Sequence, residues 1–253
     1  MSKKFFIIGN WKMNPETLEK AKDICVVEER AARFARRTSV VICPPYPYLS
    51  ILAQKKKSIA FGVQDIFYEK EGAYTGSVSA SIAKSAGAKF SIIGHSERRA
   101  TGDTDDIVAK KFLAAFEGGL TPILCIGEKV RDDHGDYFAE VRTQLFSALR
   151  AANTYISKPF IIAYEPVWAV GKSYDTALTP EGMNEMVIFI RKSLSQFLEK
   201  NKVMKVPVLY GGSVNGENAQ TMLTHGGVDG LLIGRQSLDP TGFSHIIKFA
   251  NSL

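Results

Sequence analysis

With 253 residues, 45% of them hydrophobic and 23% charged, the chain has ordinary globular composition, which excludes disordered and collagen-like classes. The formal net charge of +6 admits nucleic acid or an anionic small substrate, but the basic residues are scattered ("RAARFARR" at 30–37, "KKK" at 55–57, then singles among acids) without interleaved aromatics, so solvated helix faces account for them. Three widely spaced cysteines, Cys25, Cys43 and Cys125, with no CxxC, exclude a disulfide framework, and the apolar runs around Cys43 and Cys125 suit buried thiols.

In chain order, the N-terminal "MSKKFFIIGNWK" has a four-residue apolar core, too short for a signal peptide and without a cleavage site. No window approaches the ~18 apolar residues of a membrane span. The expectation is a soluble, cytoplasmic protein. Eight short apolar runs then follow: "FFIIGNW" (5–11), "SVVICPP" (39–45), "IAFGVQD" (59–65), "FSIIGHS" (90–96), "TPILCIGE" (121–128), "PFIIAYEP" (159–166), "VPVLYGGS" (206–213) and "GLLIGRQS" (230–237). They are continuous rather than alternating, which implies strands buried on both faces, as in a parallel sheet. The intervening segments read as helices. "ETLEKAKDICVVEERAARFARR" carries apolar residues at near-helical spacing. "DTDDIVAKKFLAAFEGGL" opens on acids and stops at Gly118-Gly119, and Thr179-Pro180 is a cap followed by proline at the first helical position. Strand and helix alternate about eight times with no linker. This predicts a single α/β domain over 1–253: a (β/α)8 barrel, eight parallel strands ringed by helices, with an open doubly wound sheet as the alternative.

Parallel α/β folds carry their sites at the C-terminal strand ends. Those ends hold Asn10, Lys12, Gln64, His95, Glu165, Gly211-Gly212-Ser213 and Gly234. Taken singly, Lys12 reads as a surface lysine, His95 as a helix-start histidine and Glu165 as a loop carboxylate; their coincidence on one rim carries the argument. The "GGS" and "GRQS" turns let backbone N–H groups approach a phosphate, and Lys12 adds a cation.

At this point the motifs speak together. "GNWKMN" (9–14), "IIGHSERR" (92–99), "AYEPVWAVG" (163–171) and "YGGSV" (210–214), with "GAYTGSVSA" (72–80) and "LCIGE" (124–128), resemble the triosephosphate isomerase family along the whole chain. The resemblance implies the TIM-barrel fold and interconversion of dihydroxyacetone phosphate and glyceraldehyde 3-phosphate through an enediolate, without cofactor or metal. It implies Glu165 as base, His95 as electrophile, and Asn10 and Lys12 as further catalytic and substrate contacts. Glu97 and Ser96 are supporting residues, and Gly171, Ser173, Ser213, Leu232, Gly234 and Arg235 bind substrate, chiefly its phosphate. That His95 acts as a neutral imidazole is likewise only what the resemblance implies. A homodimer with Thr75 reaching the neighbouring site, a closing lid at about 166–178 and a place in glycolysis and gluconeogenesis are implied likewise.

The chain departs from the family pattern in places. The lid reads "GKSYDTAL", with Trp168 to Pro180 two residues longer than usual and Ser173 where glycine is common. Gly234-Arg235 replaces a glycine pair, leaving two courses for the Arg235 side chain, toward phosphate or into solvent. Ser77 and Asp103 replace glutamates near the dimer contact.

Other readings fit less well. A metal-dependent epimerase needs ligands on several strands, yet of His95, His134, His225 and His245 only His95 stands at a strand tip. A Schiff-base aldolase needs a lysine within a strand, and none is there. An inactive barrel used for binding predicts loss of the tip residues, which are intact. A nucleic-acid or membrane partner has no support beyond net charge.

Overall fold

A computed structural model describes residues 4–54, 58–169 and 178–253. Its eight strands are β1 (Phe5–Asn10), β2 (Thr38–Cys43), β3 (Ile59–Val63), β4 (Phe90–Ile93), β5 (Thr121–Ile126), β6 (Ile161–Tyr164), β7 (Val208–Tyr210) and β8 (Gly230–Ile233). They pair in sequence order, all in parallel, and β8 returns to β1 with Phe6 opposite Gly230 and Gly9 opposite Ile233, closing the barrel. The open-sheet alternative is thereby excluded.

Closure explains the unbroken apolar runs. Ile8, Val41, Ile92, Ile123, Ala163, Leu209 and Leu232 point inward and form one core inside the barrel. Their neighbours Ile7, Val40, Ile93, Leu124, Ile162, Val208 and Leu231 point outward into a second core under the helices. Both faces of each strand are dry, so no polar alternation survives.

The helices begin where their caps say. Thr17 caps α1 (Leu18–Ala32), Thr104 caps α5 (Asp105–Glu117) and Thr179 caps α7 (Pro180–Leu194), each side-chain oxygen accepting a first-turn N–H. The helical stretch expected through residue 37 ends five residues sooner, because 33–37 turn back to place Thr38 in β2. The other described helices are α2 (Tyr46–Ala53), α3 (Ala80–Ser85), α4 (Ser96–Ala100), α6 (Asp136–Ala151), α8 (Lys200–Val203), α9 (Gly216–His225) and α10 (Pro240–Ser252). Two connections thus carry two helices each, α4 with α5 and α7 with α8, where a single helix is the simple expectation. No described helix is long and apolar enough to cross a membrane.

Candidate active site

One short helix start orients two side chains from different strands. His95 leaves the end of β4 and caps α4: its Nδ1 accepts the Glu97 N–H at 3.1 Å. An accepting Nδ1 leaves the ring proton of neutral imidazole on Nε2. Glu165 follows β6 and reaches across the rim, where its Oε2 accepts the Ser96 N–H at 3.0 Å. The first amides of α4, which no helical carbonyl can satisfy, therefore aim both groups. His95 Nε2 and Glu165 Oε1 stand 3.5 Å apart.

Glu165 is only 2% exposed, and its Oε1 has no hydrogen bond. An unsatisfied buried carboxylate oxygen costs about 1–3 kcal/mol or more, and such orphans mark sites where a group is kept ready. Glycines make the space. A Cβ on Gly127 would stand 1.8 Å from the Glu165 carbonyl oxygen, and one on Gly211 would stand 2.8 Å from its Cγ. Cys125, deep in the barrel, has its thiol pushed up by burial and by the neighbouring Glu165, so it is an inert neighbour rather than a nucleophile.

The cation comes from β1. Lys12 is the one non-glycine residue among those described with positive φ, at 52°. That conformation is costly for a side-chain-bearing residue, and neighbours enforce it. Buried Asn10 accepts the Lys12 N–H on Oδ1 at 3.1 Å, and Gln64 donates to the Lys12 carbonyl at 2.7 Å and to the Cys43 carbonyl at 3.0 Å. The ammonium pairs with Glu97 Oε1 at 2.6 Å. Closure of β8 against β1 places Gly234 beside it: a Cβ there would be 3.4 Å from Lys12 Cε.

The rim thus brings Asn10, Lys12, His95, Ser96, Glu97 and Glu165 together, with Gly211 beside Glu165 and Gly234 beside Lys12. Ser213 follows Gly211, and its carbonyl accepts the Asn218 amide at 2.8 Å, tying the turn to α9. Leu232 puts its side chain in the inner barrel core, leaving only backbone for a ligand. Arg235 opens a short 3-10 turn and is exposed. Thr75 lies on the exposed loop between β3 and α3. Gly171 and Ser173, with lid residues 170–177, lie outside the described residues.

A family model for triosephosphate isomerase matches residues 5–250 of this chain. The chain belongs to the triosephosphate isomerase family. Curated relatives named triosephosphate isomerase include one from Halorhodospira halophila, 40% identical over 248 residues, covering 96% of this chain and 97% of the relative. Another, from Aquifex aeolicus, is 38% identical over 245 residues, covering 95% and 97%. As a triosephosphate isomerase family member the chain is an enzyme, an isomerase.

Sequence reasoning missed Glu128 in this triosephosphate isomerase framework. It is fully buried just beyond β5, accepts Tyr164 Oη at 2.7 and 2.8 Å and Trp168 Nε1 at 2.8 Å, and its backbone carbonyl accepts the Val167 N–H at 3.0 Å. It anchors the 3-10 turn Val167–Ala169. The available signal was a carboxylate closing an apolar strand, the same signal that exposed Glu165. A second missed feature is the buried Lys111 ammonium, held by Asp65 at 2.7 Å and Asp103 at 2.7 Å, with Arg98 on Asp65 at 3.0 Å.

Proposed function

We propose that the protein interconverts dihydroxyacetone phosphate and D-glyceraldehyde 3-phosphate, with Glu165 as the base and His95 as the electrophile. The supporting observation is the pair itself: a carboxylate fixed through Oε2 with Oε1 free, facing an imidazole fixed through Nδ1 with Nε2 free. Glu165 takes a proton from the carbon next to the substrate carbonyl, and the electron pair moves into the carbonyl to form an enediolate. His95 Nε2–H and the Lys12 ammonium stabilise the developing oxyanion. The hydroxyl proton passes between the two oxygens through His95, and Glu165 returns its proton to the neighbouring carbon. The net change is one hydrogen moved between carbons and one between oxygens. Asn10 acts by holding Lys12 and contacting substrate, and Glu97 and Ser96 hold Lys12 and Glu165 in place.

On this reading the phosphate lies between the Lys12 side and the turns at Ser213 and Gly234, with Leu232 and Arg235 contributing backbone. Gly171 and Ser173 complete its hold from the lid, which closes over it and excludes water. We read 1–253 as one cytoplasmic domain acting as a homodimer. Met13, next to Lys12, is 94% exposed, and the loop carrying Tyr74 and Thr75 is exposed too. A second copy gives both a partner, with Thr75 reaching the neighbour's site. Sedimentation equilibrium tests this, a monomer at micromolar concentration counting against it.

The activity is tested by a coupled assay on glyceraldehyde 3-phosphate in chelator-treated buffer. Glu165→Gln keeps the shape but not the base, so kcat falls by at least ~10²-fold. A variant with near wild-type kcat refutes the assignment of Glu165.

A further inference from the structure

The opposite end of the barrel has its own cavity. Its volume is about 370 Å³, within the usual range for small-ligand sites. It opens at the strand starts, where half-buried Phe6 of β1 and Phe90 of β4 pack on the inner barrel core, and it runs outward to Phe160 and Leu198. Among the described residues no Asp or Glu lines it. Three exposed lysines do: Lys158, Lys202 of α8, and Lys205. Lys158 rests on the Tyr155 ring at 4.6 Å, and neither Lys202 nor Lys205 is ion-paired among the described residues.

We propose that this strand-start mouth is a second ligand site, for a small amphiphilic anion: a hydrocarbon body ending in one carboxylate or sulfonate. An apolar hollow gains by burying hydrocarbon, and the unmatched cations at its edge favour a single negative head over an uncharged one. Glycine-rich turns such as those after β7 and β8 are missing from its lining, so a bare phosphate or a triose phosphate has nothing to grip. The loop assigned above to the dimer leaves the other end of β3, so the mouth stays open in a dimer.

The test is titration of the intact protein with 8-anilinonaphthalene-1-sulfonate, read by fluorescence, followed by displacement with octanoate. One saturable equivalent is expected, displaced by octanoate but at least tenfold less effectively by 1-octanol, and untouched by inorganic phosphate. The double reversal Lys202→Glu/Lys205→Glu raises Kd at least tenfold while isomerase kcat stays unchanged, which also shows the variant is folded. Lys202→Ala/Lys205→Ala gives a smaller shift in the same direction. No saturable binding, equal displacement by 1-octanol, displacement by phosphate, or unchanged affinity in both lysine variants overturns the proposal. The outcomes that decide the proposal are all binding outcomes, so they are independent of whether Glu165 is the base.

Discussion

Gly211→Ala adds one methyl group beside the proposed base, and the structure sets the size of the effect. The new Cβ stands 2.8 Å from Glu165 Cγ and 3.4 Å from the Tyr164 carbonyl oxygen. Ordinary contact begins near 3.4 Å, so one side has to give way by about 0.6 Å. Glu165 is buried and its Oε2 bond to the Ser96 N–H is already 3.0 Å, so that retreat carries the bond past normal length. The backbone at Gly211 is outside the left-handed region, so alanine adds no torsional strain there. A base misplaced by a good fraction of an ångström lowers kcat by roughly 10- to 10²-fold, with KM changed much less. Steady-state rates in both reaction directions measure this, with circular dichroism and a urea midpoint confirming the fold. Gly216→Ala is the paired control: its Cβ meets no atom within 4 Å and its helical position favours alanine, so kcat stays as it was. A Gly211→Ala enzyme within twofold of wild-type kcat refutes the claim that glycine is there to seat Glu165.

Three other outcomes are expected. Trp168→Phe removes a charge-assisted bond to Glu128 worth about 1.5–3 kcal/mol, so kcat and KM shift together and kcat/KM falls about tenfold; an unchanged ratio in steady-state kinetics removes Glu128 as the lid anchor. Lys111→Met leaves Asp65 and Asp103 without their buried cation and lowers stability by about 3–5 kcal/mol in urea unfolding. Glu28, fully buried on α1 with neither oxygen hydrogen-bonded, has its carboxyl pushed well up by burial, against a smaller opposing pull from the Trp11 indole. Above about pH 4.5 the unfolded chain loses this proton while the folded chain keeps it, so stability falls with rising pH by up to about 1.4 kcal/mol per unit until the folded group ionises. Glu28→Gln removes that slope and is the more stable protein at pH 7; urea midpoints from pH 5 to 8 that run parallel for the two proteins count against it.

Local sequence was enough for the repeating plan of this protein. Eight unalternating runs such as "FIIAY" demand burial on both faces, and Thr104, Thr179 and Gly118 mark helix ends, because these are short-range effects of solvent exclusion and of unsatisfied terminal N–H and C=O groups. The tip residues were legible too, since a polar side chain directly after a buried strand stands out against its run. Which tips meet was not legible. The Ser96 amide finds Glu165 across 69 residues, and Lys12 finds Glu97 across 85. Lys111 reads as an ordinary helix residue until the fold brings Asp65 and Asp103 to it. Pattern states that a side chain is buried, but the partner it is buried against depends on strand order and register. Only the pairing of β8 with β1 turns eight separate strand ends into one rim.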